Sequence, residues 1–307
     1  VRSTLRPATS GPAVPAVVVH GGAGSADADA GPCHAAARIA LARLDAGGEA
    51  LDAAVAAVIA LEDDGRFNAG VGASPRMDGT TIETDAAVMD TLGRLGAVAA
   101  LRDVRNPVKV ARAVVDTPHW LLAGEGACRF AGAAGLREPF APSPQARERH
   151  RRCLRALAQP ARQDALQGWV RFWNFERPWS EVLNELGTGT VGAVVRDGAG
   201  QFAVATSTGG SMPQLLGRVG DTPIVGCGYY AGSAGAVAAT GVGEHIAHSL
   251  LAARVYGWIE GGLALQEALD RGVALVPAGI DIGLIGITRE HTATAARRSM
   301  ACAIVVK

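Results

Sequence analysis

Apolar positions along the chain fall into short runs of two periods. "AVVVH" (16–20) is a continuous apolar run closed by the glycine turn "GGAG", the pattern of a buried strand. Two Ala-rich stretches, about 33–45 and 49–62, repeat their apolar residues at helical spacing, with Asp52 in the first turn of the second and Glu49 beside it. After "FNAGVGA", strand-like pieces near 80–89 and 95–101 precede helices near 107–115 and 120–134. This alternation gives the first half an α/β character. The second half opens with "TVGAVVR" (190–196), "DGAG" and "QFAVATS" (201–207), which predict an antiparallel hairpin. Pairing 196 with 201 puts Thr190 opposite Ser207 and Thr208 one residue beyond, so two threonines converge beside Gly209 and Gly210. "PIVGCGYY" and "AVAAT" read as further strands, 243–256 and 263–274 as helices, and "IGLIGIT" and "ACAIVV" as closing strands. No fixed-period repeat is present.

Between about 138 and 186 the pattern changes. Arg147, Arg149, Arg151, Arg152 and Arg155 crowd together after two prolines, and five of the fourteen aromatics fall in "WVRFWNFERPW" (169–179). The reading is a solvated linker helix, then an amphipathic helix with Trp169, Phe172 and Trp173 on one face, packed on the protein itself or on a partner subunit.

Composition narrows the function. With 307 residues, 49% of them apolar and 19% charged, the chain buries one large core or two moderate ones. Lys plus Arg equals Asp plus Glu at 29 each, so no global field recruits nucleic acid or a membrane surface, and a small-molecule substrate is expected. Cys33, Cys128, Cys153, Cys227 and Cys302 are odd in number and lack a C-x-x-C pair, which argues for a reducing, cytoplasmic setting. The first fifteen residues lack an apolar core of signal-peptide length, and no segment reaches the roughly 18 apolar residues of a membrane span.

Familiar chemistries match poorly. "HGGAG" (20–24) and "AGSAG" around Ser233, with Asp281 and His291 following, have the chain order of an α/β-hydrolase, but the first elbow glycine is Ala231 and the loop-to-serine spacing is too long. His245 and His248 share a helical face without a third ligand in view. A different solution needs no histidine. A threonine freed at a chain terminus carries its own base, an α-amine with pKa near 8. Cutting Gly189–Thr190 would create such a terminus at the head of a core strand, and glycine before the bond tolerates the strained geometry of the attack.

Seven segments carry a resemblance: "VVVHGGAG", "FNAGVGA", "NPVKVARAVVDTPHWLLAGEGACRFA", "GTVGAVV", "ATSTGG", "GRVGDTPIVGCGYY" and "ATGVGE". In this order the chain resembles the plant-type L-asparaginase and isoaspartyl peptidase family of N-terminal nucleophile hydrolases, from about residue 16 and outside the 138–186 linker. The resemblance implies a four-layer αββα sandwich, one catalytic domain made as a precursor and split into segments 1–189 and 190–307. It implies Thr190 as nucleophile, Thr208 as its partner, and Thr240 with Gly241 as the oxyanion pair. Arg218 and Asp221 would clamp an amino-acid head group, Gly210 would line that pocket, and Asn68 would lie near it. Carbonyls of Leu61, Glu62, Asp64, Phe67, Ala69 and Val71 would ring a structural sodium ion, with no cofactor for the chemistry itself. "DDGR" before the Phe departs from the family's loop. The expected activity is hydrolysis of L-asparagine or of β-aspartyl dipeptides by a homodimer of processed units. Two alternatives stand beside it: a glycosylasparaginase, and a non-processing member acting as a binding or scaffold subunit.

Overall fold

Val17 and Val19 pack toward helices while Ala16 and Val18 pack toward a second sheet, so the first strand is apolar on both faces because both are covered. In a computed structural model, residues 12–157, 168, 170–176 and 190–307 are described. Strands β1 (Ala16–Ala23), β2 (Thr84–Asp90), β3 (Leu95–Leu101), β4 (Leu121–Ala123), β5 (Thr190–Arg196), β6 (Phe202–Thr208) and β11 (Met300–Val306) form one sheet, ordered β11-β1-β5-β6-β2-β3-β4. Strands β7 (Tyr229–Gly232), β8 (Gly235–Gly241), β9 (Ile282–Ile287) and β10 (Thr292–Ala296) form the other, ordered β10-β9-β8-β7.

The helices are α1 (Ala30–Asp45), α2 (Ala50–Asp64), α3 (Pro107–Val114), α4 (Gly124–Ala133), α5 (Pro144–Leu157), α6 (Gly243–Ser249), α7 (Leu251–Glu260) and α8 (Leu265–Leu275). Three apolar clusters mark the interfaces of four layers. The first joins α1 to α4 to the larger sheet, the second joins the smaller sheet to α7 and α8, and the third, with Val18, Val194 and Val204 against Tyr229, Ala238 and Ile285, lies between the sheets. The αββα sandwich implied by the resemblance is the fold observed.

Several details differ from the sequence reading. Arg196 pairs with Phe202, not with 201, and Thr190 therefore faces Thr208 rather than Ser207. The reason is the turn: Asp197 Oδ1 accepts the N–H groups of Ala199 and Gln201, both at 2.9 Å, which keeps Gln201 out of the ladder. Of the 223–230 stretch only Tyr229 and Tyr230 are strand, at the head of β7, because Cys227 and Gly228 turn back onto Ile224 and Asp221. The helix read at 243–256 breaks at Leu250, whose φ of 48° lets the α7 N–H groups of Ala252 and Ala253 bond the carbonyls of Cys227 and Gly226. The helix read at 120–134 begins only at Gly124, after the short strand β4. Strand β10, unread in the sequence, pairs with β9.

In the linker, α5 is built as a docked helix: Ala146, His150 and Leu154 form its buried stripe. Phe172 is 62% exposed and lies past the end of a helical turn at Val170 and Arg171, where Trp173 stacks on Phe175 at 4.7 Å instead. Trp169 lies outside the described residues.

Candidate active site

The strand register gathers the site at one end of the sandwich. Antiparallel pairing sets Thr190 opposite Thr208 on β6 and Thr208 opposite Asp85 on β2, so the three form one row across the ladder. In the facing sheet β8 ends in Thr240 and Gly241. The Thr190 side chain and Gly189 lie outside the described residues.

A cavity of about 200 Å3 sits at this end, lined among others by Thr208, Gly210, Arg218, Asp221, Thr240 and Gly241. The nucleophile apart, the catalytic and head-group residues expected from the sequence meet in one place. Thr240 Oγ1 accepts the Ala23 N–H at 3.1 Å, which occupies an acceptor site and leaves the hydroxyl proton available to a ligand. Gly241 has φ 155°, and a Cβ there would lie 2.5 Å from the Asp281 carbonyl, so a side chain is excluded.

In the same lining, Arg218 Nε and Nη2 donate to the two oxygens of Glu244, each at 2.9 Å. Asp221 is buried, its Oδ2 has no hydrogen-bond partner among the described residues, and burial pushes its carboxyl up to about 7 although Arg218 pulls the other way. An unpaired buried acceptor lining a cavity is a place for a cationic group.

Residues the sequence reading missed hold these in place. Arg76, wholly buried, pairs with Glu83 at 3.0 Å and donates to the Arg218 carbonyl at 3.2 Å, while Glu83 Oε2 accepts the Gly217 N–H at 2.8 Å. Burial holds the Arg76 guanidinium below its ordinary value. Asp85 Oδ1 accepts the Ala100 N–H at 2.8 Å, and burial raises its carboxyl to about 6. A signal for Asp85 existed in "TDAAVMD", an acid at the head of an apolar strand; nothing comparable marked Arg76.

Asn68 ties the 65–72 loop to the site. Its amide nitrogen donates to the Gly210 carbonyl, its Oδ1 accepts the Ser74 N–H at 2.7 Å, and its own carbonyl accepts the Gly209 N–H at 2.8 Å. Thr208 Oγ1 in turn accepts the Gly210 N–H at 2.9 Å.

A family model described as asparaginase matches residues 13–306 of the chain. The chain belongs to the asparaginase family. Among its curated relatives, an isoaspartyl peptidase/L-asparaginase of Xenopus laevis is 40% identical over 84% of this chain and 80% of that protein. A plant-type L-asparaginase of Pyrobaculum calidifontis is 41% identical over 88% and 89%, and an isoaspartyl peptidase of Salmonella typhimurium 42% identical over 80% and 77%.

The rival motifs dissolve in this asparaginase-family fold. Ser233 lies in the two-residue turn between β7 and β8, not at a strand-to-helix elbow, and His291 is exposed. His245 and His248 lie on α6, and no metal-ligating cluster occurs among the described residues. His20, in "HGGAG", is a core residue: it is wholly buried, its Nδ1 accepts the Gly22 N–H at 3.1 Å, and burial lowers its imidazole to about 3.

The carbonyls named for sodium divide in two. Leu61, Glu62 and Asp64 end α2, and Phe67, Ala69 and Val71 belong to the loop. The loop set is already bonded: Phe67 O accepts the Ala69 N–H, Ala69 O the Gly72 N–H, and Val71 O the Ser143 N–H. Arg149, read as solvated, turns inward and donates to the carbonyls of Arg66, Phe67 and Gly72. On the loop side, this donor pattern does not fit carbonyls left open for a metal cation.

Proposed function

We propose that this protein is a threonine amidohydrolase that cuts its own Gly189–Thr190 bond and then hydrolyses L-asparagine and β-aspartyl dipeptides. The observation that carries the reading is the 200 Å3 cavity that brings the Arg218 and Asp221 head-group pair into one lining with Thr208 and Thr240. Such a volume suits one amino acid. Arg218 recognises the α-carboxylate and Asp221 the α-ammonium, leaving the side-chain carbonyl toward Thr240, Gly241 and the start of β5.

In this reading the Thr190 hydroxyl attacks that carbonyl while its α-amine takes the proton. The oxyanion is held by the Thr240 O–H and the Gly241 N–H. The amine returns the proton to the departing ammonia or amino acid, and water then releases aspartate from the ester by the same steps in reverse.

A larger cleft, about 1060 Å3, shares Ala23 and Asp281 with the cavity. It provides room for a leaving group bigger than ammonia, which favours β-aspartyl dipeptides as well as asparagine. The four cysteines whose side chains are described are free, which suits a cytoplasmic enzyme, and a homodimer of processed units is the assembly proposed from the sequence resemblance.

Intact mass spectrometry and an ammonia-release assay test the reading together. Two pieces are expected, the second beginning at Thr190, with hydrolysis of asparagine or β-aspartyl dipeptide appearing as the cut proceeds. Full activity from uncut protein would overturn it. Binding without cleavage or turnover would favour a scaffold subunit, and preference for glycosylated asparagine a glycosylasparaginase.

A further inference from the structure

Residues 65–72, which follow α2, form a backbone loop whose carbonyls all have protein donors. Gly65 O accepts the Ser143 hydroxyl, Arg66 O and Gly72 O accept Arg149, and Phe67 O accepts both Arg149 and the Ala69 N–H. Asn68 O accepts Gly209, Ala69 O accepts Gly72, Gly70 O accepts Ala73, and Val71 O accepts Ser143. From Gly65 through Gly72 each carbonyl is thus accounted for, and a single guanidinium closes both ends of the loop.

Arg149 is delivered by design of the local sequence. Ser143 caps α5, its hydroxyl accepting the Ala146 N–H at 3.1 Å and donating to Gly65 O at 2.6 Å, with Pro144 following as a helix starter. The buried stripe of Ala146, His150 and Leu154 then fixes the helix roll, and His150 Nε2 meets the Arg76 carbonyl at 2.9 Å. Arg149 lies beside that stripe, against the loop, and among the described residues its hydrogen-bond partners are backbone carbonyls, with no carboxylate. Burial and the neighbouring Arg152 pull its guanidinium down to about 10, so it stays cationic at neutral pH. Elsewhere the chain uses the same device: Arg297 donates to the carbonyls of Val273 in the last turn of α8 and of Val276, Pro277 and Ile280 beyond it.

We propose that Arg149 is the cation around which the 65–72 loop is built, so that the loop keeps its shape, and Asn68 its place against Gly210, without a bound alkali metal. A planar fork with several donors satisfies diverging carbonyls that a spherical ion would have to draw together. An added metal ion would also sit beside a fixed positive charge. Arg149 is therefore a positioning residue: it reaches the site through Asn68, Gly209 and Gly210, and it couples the linker helix to Thr208.

The test is a cation titration of the purified protein, dialysed into tetramethylammonium chloride and held at constant ionic strength while sodium or potassium replaces it. Melting temperature is read without reference to catalysis, so it stands even if the proposed activity fails; kcat and KM for asparagine rest on that activity. For the wild type, neither ion should move any of the three. Arg149→Ala should melt earlier and lose kcat by about tenfold, the usual cost of a lost supporting contact, with KM little changed. Dilute guanidinium, below denaturing concentration, or an alkali ion should restore both losses, and Arg149→Lys should fall between.

A saturable rise of the wild-type melting temperature with sodium or potassium would overturn the proposal. So would an Arg149→Ala protein equal to wild type, or one whose losses no cation restores. Should Arg149→Ala fail to fold, the wild-type titration and Arg149→Lys decide the question.

Discussion

Arg218 and Asp221 converge on one point: a Cβ on Gly243 would lie 2.7 Å from Asp221 Oδ1 and 2.9 Å from Arg218 Nη2. The clamp is open because that residue has no side chain. Gly243→Ala should therefore raise KM for asparagine by about 10- to 100-fold, matching the about 1–3 kcal/mol cost of a methyl forced into packed space. Its melting temperature should fall as well, since the methyl also presses on the Asp221 backbone nitrogen at 3.1 Å. Steady-state kinetics with a thermal melt check both; an unchanged KM would remove Asp221 and Arg218 from head-group recognition.

Asp221 should also write itself into the pH profile. Its carboxyl is raised to about 7 by burial, and only the ionised form holds an ammonium group. The value of kcat/KM should rise with pH through about 7. The bound α-ammonium keeps the carboxylate ionised, so kcat should lack this step and retain only that of the Thr190 amine. Asp221→Asn should lower kcat/KM and erase the step near 7. A profile shared unchanged by the variant would show that another group titrates there.

The Arg76–Glu83 pair makes a stability prediction. Glu83→Gln leaves a wholly buried guanidinium without its counter-charge and should cost about 3–5 kcal/mol in urea unfolding. The double change Arg76→Met with Glu83→Met should cost less than the single one. The double variant should raise KM, because Gly217 and Arg218 lose their backbone anchors. A single variant no less stable than wild type would place the pair outside the fold's essential contacts.

Glu62 makes stability fall as pH rises toward 8. Burial raises its carboxyl from 4.5 to about 8, so the folded state holds the proton more tightly than the unfolded chain does. Stability from this group is fullest below 4.5, declines as pH rises toward 8, and is flat beyond. His20, lowered to about 3 by burial, acts in the opposite sense but only below its ordinary 6.5. The melting temperature should therefore fall between about pH 6.5 and 8 and level off above that. Glu62→Gln, which keeps an acceptor for the Val108 N–H bonded by Glu62 at 3.1 Å, should flatten that fall. Equal slopes in the two proteins would disprove the assignment.

The sequence by itself determined the elements with long regular periods and the residues carried by motifs. "AVVVH", the Ala-rich helices and the 190–208 hairpin declare themselves because apolar spacing is a local property, and Thr208, Arg218, Asp221, Thr240 and Gly241 because each sits in a short segment of fixed order. Only the tertiary structure decided the rest. The five-residue turn held by Asp197 shifted the hairpin by one and set Thr208, not Ser207, across from Thr190; in a strand of period two, that single residue exchanges one face for the other. The inward turn of Arg149 could not be read among five crowded arginines, since its partners are backbone carbonyls some eighty residues away, and carbonyls carry no sequence signal.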